Sequence, residues 1–176
     1  MRKLIARLRR DNQGLAMIEF AFAAPIFLGL VLTGLELSNL ALSHLRVSQM
    51  AMTVADNAGR VTSGIDEANI YEVFAGADYV GGGLKFEDNG RIVLSSLEHN
   101  GQTGSKEGQE IVWQRCWGKV TTFKPKYGKQ GDGKSDDKLE DGLGGGSDKI
   151  TALKDTAVMF VEVSYNYQPL VSTGFF

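Results

Sequence analysis

The stretch RRDNQGLAMIEFAFAAPIFLGLVLTGLEL, Arg9–Leu37, decides how the rest of this chain is read. From Leu15 to Leu35 the run is apolar, with Glu19 as its one charge. At about 1.5 Å rise per residue it spans about 31 Å, close to the hydrocarbon thickness of a bilayer. A carboxylate inside such a run costs about 2.5–3.5 kcal/mol at a helix centre and less near an interface. It needs a compensating charge, and Gly14, five residues earlier, offers one. A cut after Gly14 would make Leu15 a new, positively charged amino terminus. Glu19 of a neighbouring copy could neutralise that charge as the helices pack.

Upstream, residues 1–14 hold Arg2, Lys3, Arg7, Arg9 and Arg10 against Asp11. The whole chain, with 19 Lys+Arg and 21 Asp+Glu, carries net charge −2. Without the five basic residues and one acid of the leader the counts are 14 and 20, which leaves −6. Basic residues clustered just before an apolar span follow the positive-inside pattern, so the N-terminus should face the cytoplasm and the remainder should be exported. A nucleic-acid-binding tail is the other reading of a basic cluster. The apolar span that follows at once and the acidic remainder oppose it, so no nucleic-acid partner is expected. A length of 176 residues suits one membrane helix and one modest domain.

Three accounts of the apolar run compete. A secretory signal peptide would use the small residues of AFA, Ala21–Ala23, but the apolar run continues well past them. An uncleaved anchor would let Glu19 snorkel to the cytoplasmic headgroups. A leader cut after Gly14 explains the glycine, the glutamate spacing and the basic residues together. Gly29 and Gly34 are tolerated in a membrane helix. Pro25 removes a donor and crowds the carbonyl of Ala21, which predicts a kink or local melting over Phe22–Pro25.

Gly14, Leu15, Glu19, Phe20 and Pro25, within G-LAMIEFAFAAPIFL, resemble the N-terminus of the TadE-like minor pseudopilins of tight-adherence (Flp) type IV pilus systems. EVSYNYQPL, Glu162–Leu170, is similar to the strand near the end of such proteins. The resemblance implies cleavage after Gly14 by a membrane-embedded aspartyl prepilin peptidase and an N-methylated Leu15. It further implies an inner-membrane helix at 15–36, a periplasmic domain, and a role in pilus assembly rather than catalysis. The implied partners are prepilin peptidase, other pilin and pseudopilin subunits, the assembly machinery and membrane lipid. No cofactor is implied. Incorporation into the filament, and a TadF-like rather than a TadE-like subunit, both stay open. The alternative function is an uncleaved single-pass envelope protein whose exported domain binds a partner.

Beyond the span, Leu37, Leu40, Ala41, Val47, Ala51, Val54, Ala58 and Val61 recur at three- and four-residue steps. They predict an amphipathic extension, 37–62, of one long helix running from about Leu15 to Arg60. His44 falls on or near that face as a partly buried group, and His99 falls in a loop. Neither has a partner at metal-site or catalytic-triad spacing, so no catalytic or metal residue is expected. Residues 63–176 read as an α+β domain. Asp66–Ala77 is a short amphipathic helix with Ile70, Val73, Phe74 and Ala77 on one face and Ser63 or Asp66 as cap.

Arg91–Ser96, Glu110–Gln114 and Lys119–Phe123 are strand candidates, and Trp113, Trp117 and Phe123 read as sheet-face aromatics. Lys126–Lys149 is rich in Gly, Lys and Asp and reads as a long, mobile, solvated loop. Its carboxylates, Asp132, Asp136, Asp137, Glu140 and Asp141, miss the calcium-loop spacing because Lys134 falls on a ligand position. Cys116 is the single cysteine, with no partner for an internal disulfide. Ala157–Tyr167 is the clearest strand, with Val161, Val163, Tyr165 and Tyr167 on one face. The expected fold class is α+β: a long, pilin-like N-terminal helix on a small, mostly antiparallel sheet of three or four strands. If no strand follows Ala157–Tyr167, that strand is an open edge that invites strand addition.

Overall fold

The long apolar pattern folds as one helix, α1, Gln13–Gly59. The structure is a computed structural model and describes residues 13–61 and 64–171. The basic leader up to Asn12 and the proposed cap Ser63 lie outside the described residues. Of the kink or local melting expected over Phe22–Pro25, the melting is not found: α1 passes through Pro25 as uninterrupted helix. The fixed φ of proline is itself helical, and only one backbone hydrogen bond is forfeited. Two hydroxyls in the apolar stretch turn back on their own helix. Thr33 Oγ1 donates to the carbonyl of Gly29 and Ser38 Oγ to that of Gly34, each at 2.8 Å. Such back-bonding satisfies polar groups where a bilayer would offer no partner.

The chain divides into two compact units, residues 1–41 with 169–176, and residues 42–168. In the first, the large apolar side chains of α1 face outward, from Leu15 and Phe20 to Phe27 and Leu35. Glu36 accepts hydrogen bonds from the backbone N–H groups of Leu170 and Val171, both at 3.0 Å.

The second unit is built on a three-stranded antiparallel sheet with strand order β2-β1-β3. The strands are β1, Gly90–His99, β2, Gln109–Trp117, and β3, Ala157–Tyr165. Two short helices precede them, α2, Glu67–Val80, and α3, Phe86–Asn89. Asp66 caps α2: its carboxylate accepts from the Asn69 N–H at 2.8 Å, and the Asn69 side chain accepts in return from the Asp66 N–H. This reciprocal cap explains why the helix starts there.

One face of the sheet packs on helices. Ile92 and Leu94 meet Met50, Val54 and Ala58 of α1 and Ile70, Val73, Phe74 and Ala77 of α2. Phe86 stacks on Trp117 and Tyr165 at 5.8 and 5.9 Å between ring centres, and Phe74 lies 6.4 Å from Trp117. The buried stripe of α1 is thus Ser43, Met50, Val54 and Ala58 with Val47 half-buried, at steps of three and four. It differs from the expected face: Leu37 and Leu40 are 62% and 38% exposed, and His44 is exposed. Met50, which is not among the residues of the expected face, is fully buried in the contact.

The opposite face is covered by the segment expected to be a solvated loop. Leu139 and Leu143 are buried against Leu97 and Ile111, and Tyr127 packs edge-on against Phe160 at 5.7 Å. Leu143 and Ile150 bridge through two backbone hydrogen bonds of 2.9 and 2.8 Å, so the glycine-rich turn between them doubles back. At Gly133, φ is +83° and an added Cβ would collide with the Gln109 carbonyl, which makes glycine necessary. The register shift between Ser96 and Leu97 lets Ile111 join Leu97 on this second face while Trp113 and Trp117 stay on the helical one.

The expected strand Lys119–Phe123 is a turn. After Gly118, with φ +105°, the Lys119 N–H turns to the Glu87 carbonyl at 2.7 Å and the Val120 N–H to that of Gly90. Those bonds take donors that a fourth strand would need. The last strand stops at Tyr165 rather than Tyr167.

Candidate functional site

The sequence-selected residues all lie in the N-terminal part of α1, and all are exposed. Gly14 is exposed, and a Cβ built on it would meet nothing within 4 Å. Leu15 is 64% exposed and Phe20 73%. Glu19 is exposed and makes no hydrogen bond or ion pair among the described residues. Leu15 and Glu19 stand four residues apart, one helical turn, on neighbouring positions of one face. Pro25 lies two turns further along the same helix.

The chemical content of this site follows from exposure and charge. A peptide bond flanked by a residue without a side chain is open to close approach by another molecule. A bare carboxylate on an otherwise apolar helix has an unmet need for a cation. Neither need is met among the described residues. The exposed apolar side chains carry on past the expected end of the span, through Leu37, Leu42 and Leu45. α1 is long and apolar enough to cross a membrane.

Other polar groups are occupied within the fold. Lys138 Nζ lies 2.7 Å from Asp132 Oδ1 and 3.4 Å from Asp136 Oδ2. The lysine holds the Asp132 carboxyl below its usual range, and the Gly133 N–H does the same for Asp136. These carboxylates are therefore bound by a lysine and by backbone amides. His99 ends β1, where its Nδ1 accepts from the Gly101 N–H at 3.0 Å. Arg115 of β2 pairs with Glu67 of α2 at 2.5 Å, and the hydrogen bond between them lowers the glutamate's pKa and raises the arginine's. Burial pushes the Tyr165 hydroxyl up, and that hydroxyl donates to the Leu84 carbonyl at 3.1 Å.

A groove of about 410 Å³ runs beside Ala58, Ser96, Glu98, Trp113 and Met159. Inside it, the Ser96 hydroxyl is committed to Glu98 at 2.8 Å. Among the described residues no cluster of three or more His, Cys, Asp or Glu is placed to hold a metal.

The sequence pointed to the N-terminal residues and gave no sign that the Glu36 carboxylate holds two backbone amides. The local sequence carries no signal for that contact, because its donors lie more than 130 positions away.

Residues 14–56 match the model of a family described as TadE-like protein, in agreement with the resemblance carried by Gly14, Leu15, Glu19, Phe20 and Pro25. The match covers most of α1 and none of the sheet. No curated protein and no solved structure matches the chain.

Proposed function

We propose that this chain is a minor pseudopilin acting in assembly of a tight-adherence (Flp) type pilus. Its leader is removed after Gly14 by prepilin peptidase. Leu15 becomes the mature amino terminus, with the helix in the inner membrane and the sheet domain in the periplasm. The role is structural rather than catalytic.

The observation that carries this reading is the coincidence of the TadE-like match with an α1 whose key residues are exposed and have no packing or charge partner among the described residues. Gly14 is not required by packing, so its place is explained by an enzyme that must approach the backbone. Glu19 has no partner among the described residues, and the amine of a neighbouring subunit would supply one. The exposed large apolar residues extend from Leu15 to Leu45. That is about 45 Å of helix, against a hydrocarbon thickness of about 30 Å. The excess is suited to packing against helices of other subunits.

The test separates cutting from assembly. Glu19→Ala is placed in a strain lacking the native copy, and leader removal and piliation are scored together. The expected result is normal processing with loss of pili. Normal processing with normal pili would remove Glu19 from the mechanism.

A further inference from the structure

At one end of the sheet a half-buried carboxylate lacks a cation. Glu98 lines the groove of about 410 Å³ together with Ala58, Ser96, Trp113, Ala157 and Met159. It accepts a hydrogen bond from the buried Ser96 hydroxyl at 2.8 Å, a neutral donor, and no cation pairs with it among the described residues. Across the β1–β2 pair it faces Glu110, a like charge directly opposite, and Lys134 lies 3.8 Å from Glu110. α1 ends at Gly59, on the groove wall, with no basic residue in its last turn. Arg60, just beyond, is paired with Asp56 at 2.8 Å. The negative end of that helix therefore adds to the carboxylate. The indole of Trp113 offers an aromatic surface of the kind that attracts a cation. Carboxylate, helix end and indole all favour a positive charge.

The groove borders an unpaired strand edge, and Ala157 and Met159 belong to both. The outer edge of β2 is closed by the chain's own turns. There the Ile111 N–H donates to the Asp132 carbonyl and the Gln109 N–H to that of Leu139, each at 3.0 Å. β3 has no such cover among the described residues. The Asn166 N–H donates to the Asn89 carbonyl at 2.8 Å, which sets the alternation of the antiparallel pair. Ser164, Glu162, Phe160 and Val158 therefore turn their backbone groups to β1. Tyr165, Val163, Val161, Met159 and Ala157 turn theirs outward, without a backbone partner among the described residues. β3 carries no proline, lysine or arginine to blunt that edge.

We propose that edge and groove together hold an extended segment of another polypeptide. The segment adds a fourth strand beside β3 and places the charge of a lysine or arginine in the groove. The edge selects an extended chain, because its unpaired groups recur at every second residue. The groove selects a basic side chain by charge. Ala157 stands directly opposite Glu98. A residue of the added strand beside Ala157 is then two strand spacings from Glu98, about 10 Å. It shares their face of the sheet, and a long basic side chain closes the distance over the methyl group of Ala157. Two copies joined through β3 would leave the groove unfilled, since β3 has no basic residue. The inference goes beyond the pilus reading and does not depend on cleavage after Gly14.

The test uses the full detergent-solubilised chain and random heptapeptides displayed on phage. Selection should converge on β-branched sequences with one fixed lysine or arginine. A labelled synthetic member of that set is then measured by fluorescence anisotropy. Its arginine form should bind about tenfold more tightly than its citrulline form, which keeps the shape and loses the charge. Glu98→Gln should erase that preference without lowering the melting temperature, because a glutamine oxygen still accepts from Ser96. N-methylation of one alternate set of peptide amides should abolish binding, and of the other set should not, because one edge of the added strand faces β3. The proposal is overturned if no peptide is enriched, or if the citrulline form binds equally well. It is also overturned if folded Glu98→Gln keeps the preference, or if the two methylated sets behave alike.

Discussion

Leu143→Ala tests whether the glycine- and lysine-rich segment is a structural layer. Leu143 is 1% exposed and packs with Leu97, Ile111 and Leu139. Truncation removes three carbons, worth about 0.8 kcal/mol each on transfer from water, or about 2.4 kcal/mol. A cavity remains because Leu97 and Ile111 are fixed in strands, and its cost brings the total to about 3–4 kcal/mol. For a domain of this size each kcal/mol lowers Tm by about 3–5 °C, so the variant should melt about 9–20 °C lower. The assay is thermal unfolding of the detergent-solubilised full chain, followed by circular dichroism. Leu153→Ala is the control: its side chain is 76% exposed, and its effect should stay within about 0.5 kcal/mol. Equal melting of the two variants would refute the second layer and return the segment to a solvated loop.

Further predictions concern single contacts. Asp66→Ala breaks the reciprocal cap of α2 and should cost about 1 kcal/mol by chemical unfolding. The Asp132 carboxyl is held low by Lys138, then by the Lys129 N–H. Its folded value lies below its unfolded one, so its contribution is complete above the ordinary carboxyl range and is lost as pH falls through the lower folded value. Asp132→Asn should therefore flatten the acid limb of a stability–pH curve and leave its shape near neutrality unchanged. Gly14→Val should leave the melting temperature unchanged, because a Cβ there meets nothing within 4 Å, yet it should block leader removal, as read by gel mobility.

Much of this fold was legible where one local signal dominates. The apolar run with its lone Glu19 announced α1, and Ile70, Val73, Phe74 and Ala77 marked the buried face of α2 correctly. The β-branched, aromatic run at Ala157 gave β3. Features set by distant partners were not legible. Met50 displaced Leu40 from the core because the phase of the buried stripe depends on where the sheet sits. Leu139 and Leu143 looked negligible in a polar segment, yet two leucines suffice to seat it over Leu97 and Ile111. Lys119–Phe123 has strand-forming residues, but Gly118 turns the chain so that its amides meet Glu87 and Gly90 instead. At the N-terminal site, residue identities were readable because glycine and a lone carboxylate are conspicuous there. The hold of Glu36 on Leu170 and Val171 was not readable, since any backbone amide can play that part.

In the proposed function the chain is cut after Gly14 to expose Leu15 as an amine. The most direct measurement is the intact mass of the membrane-extracted protein, taken with the cognate prepilin peptidase present and absent. The expected result is a peptidase-dependent loss of residues 1–14, with or without one added methyl group. A full-length mass under both conditions would contradict it and leave an uncleaved anchor with Glu19 snorkelling at the cytoplasmic surface.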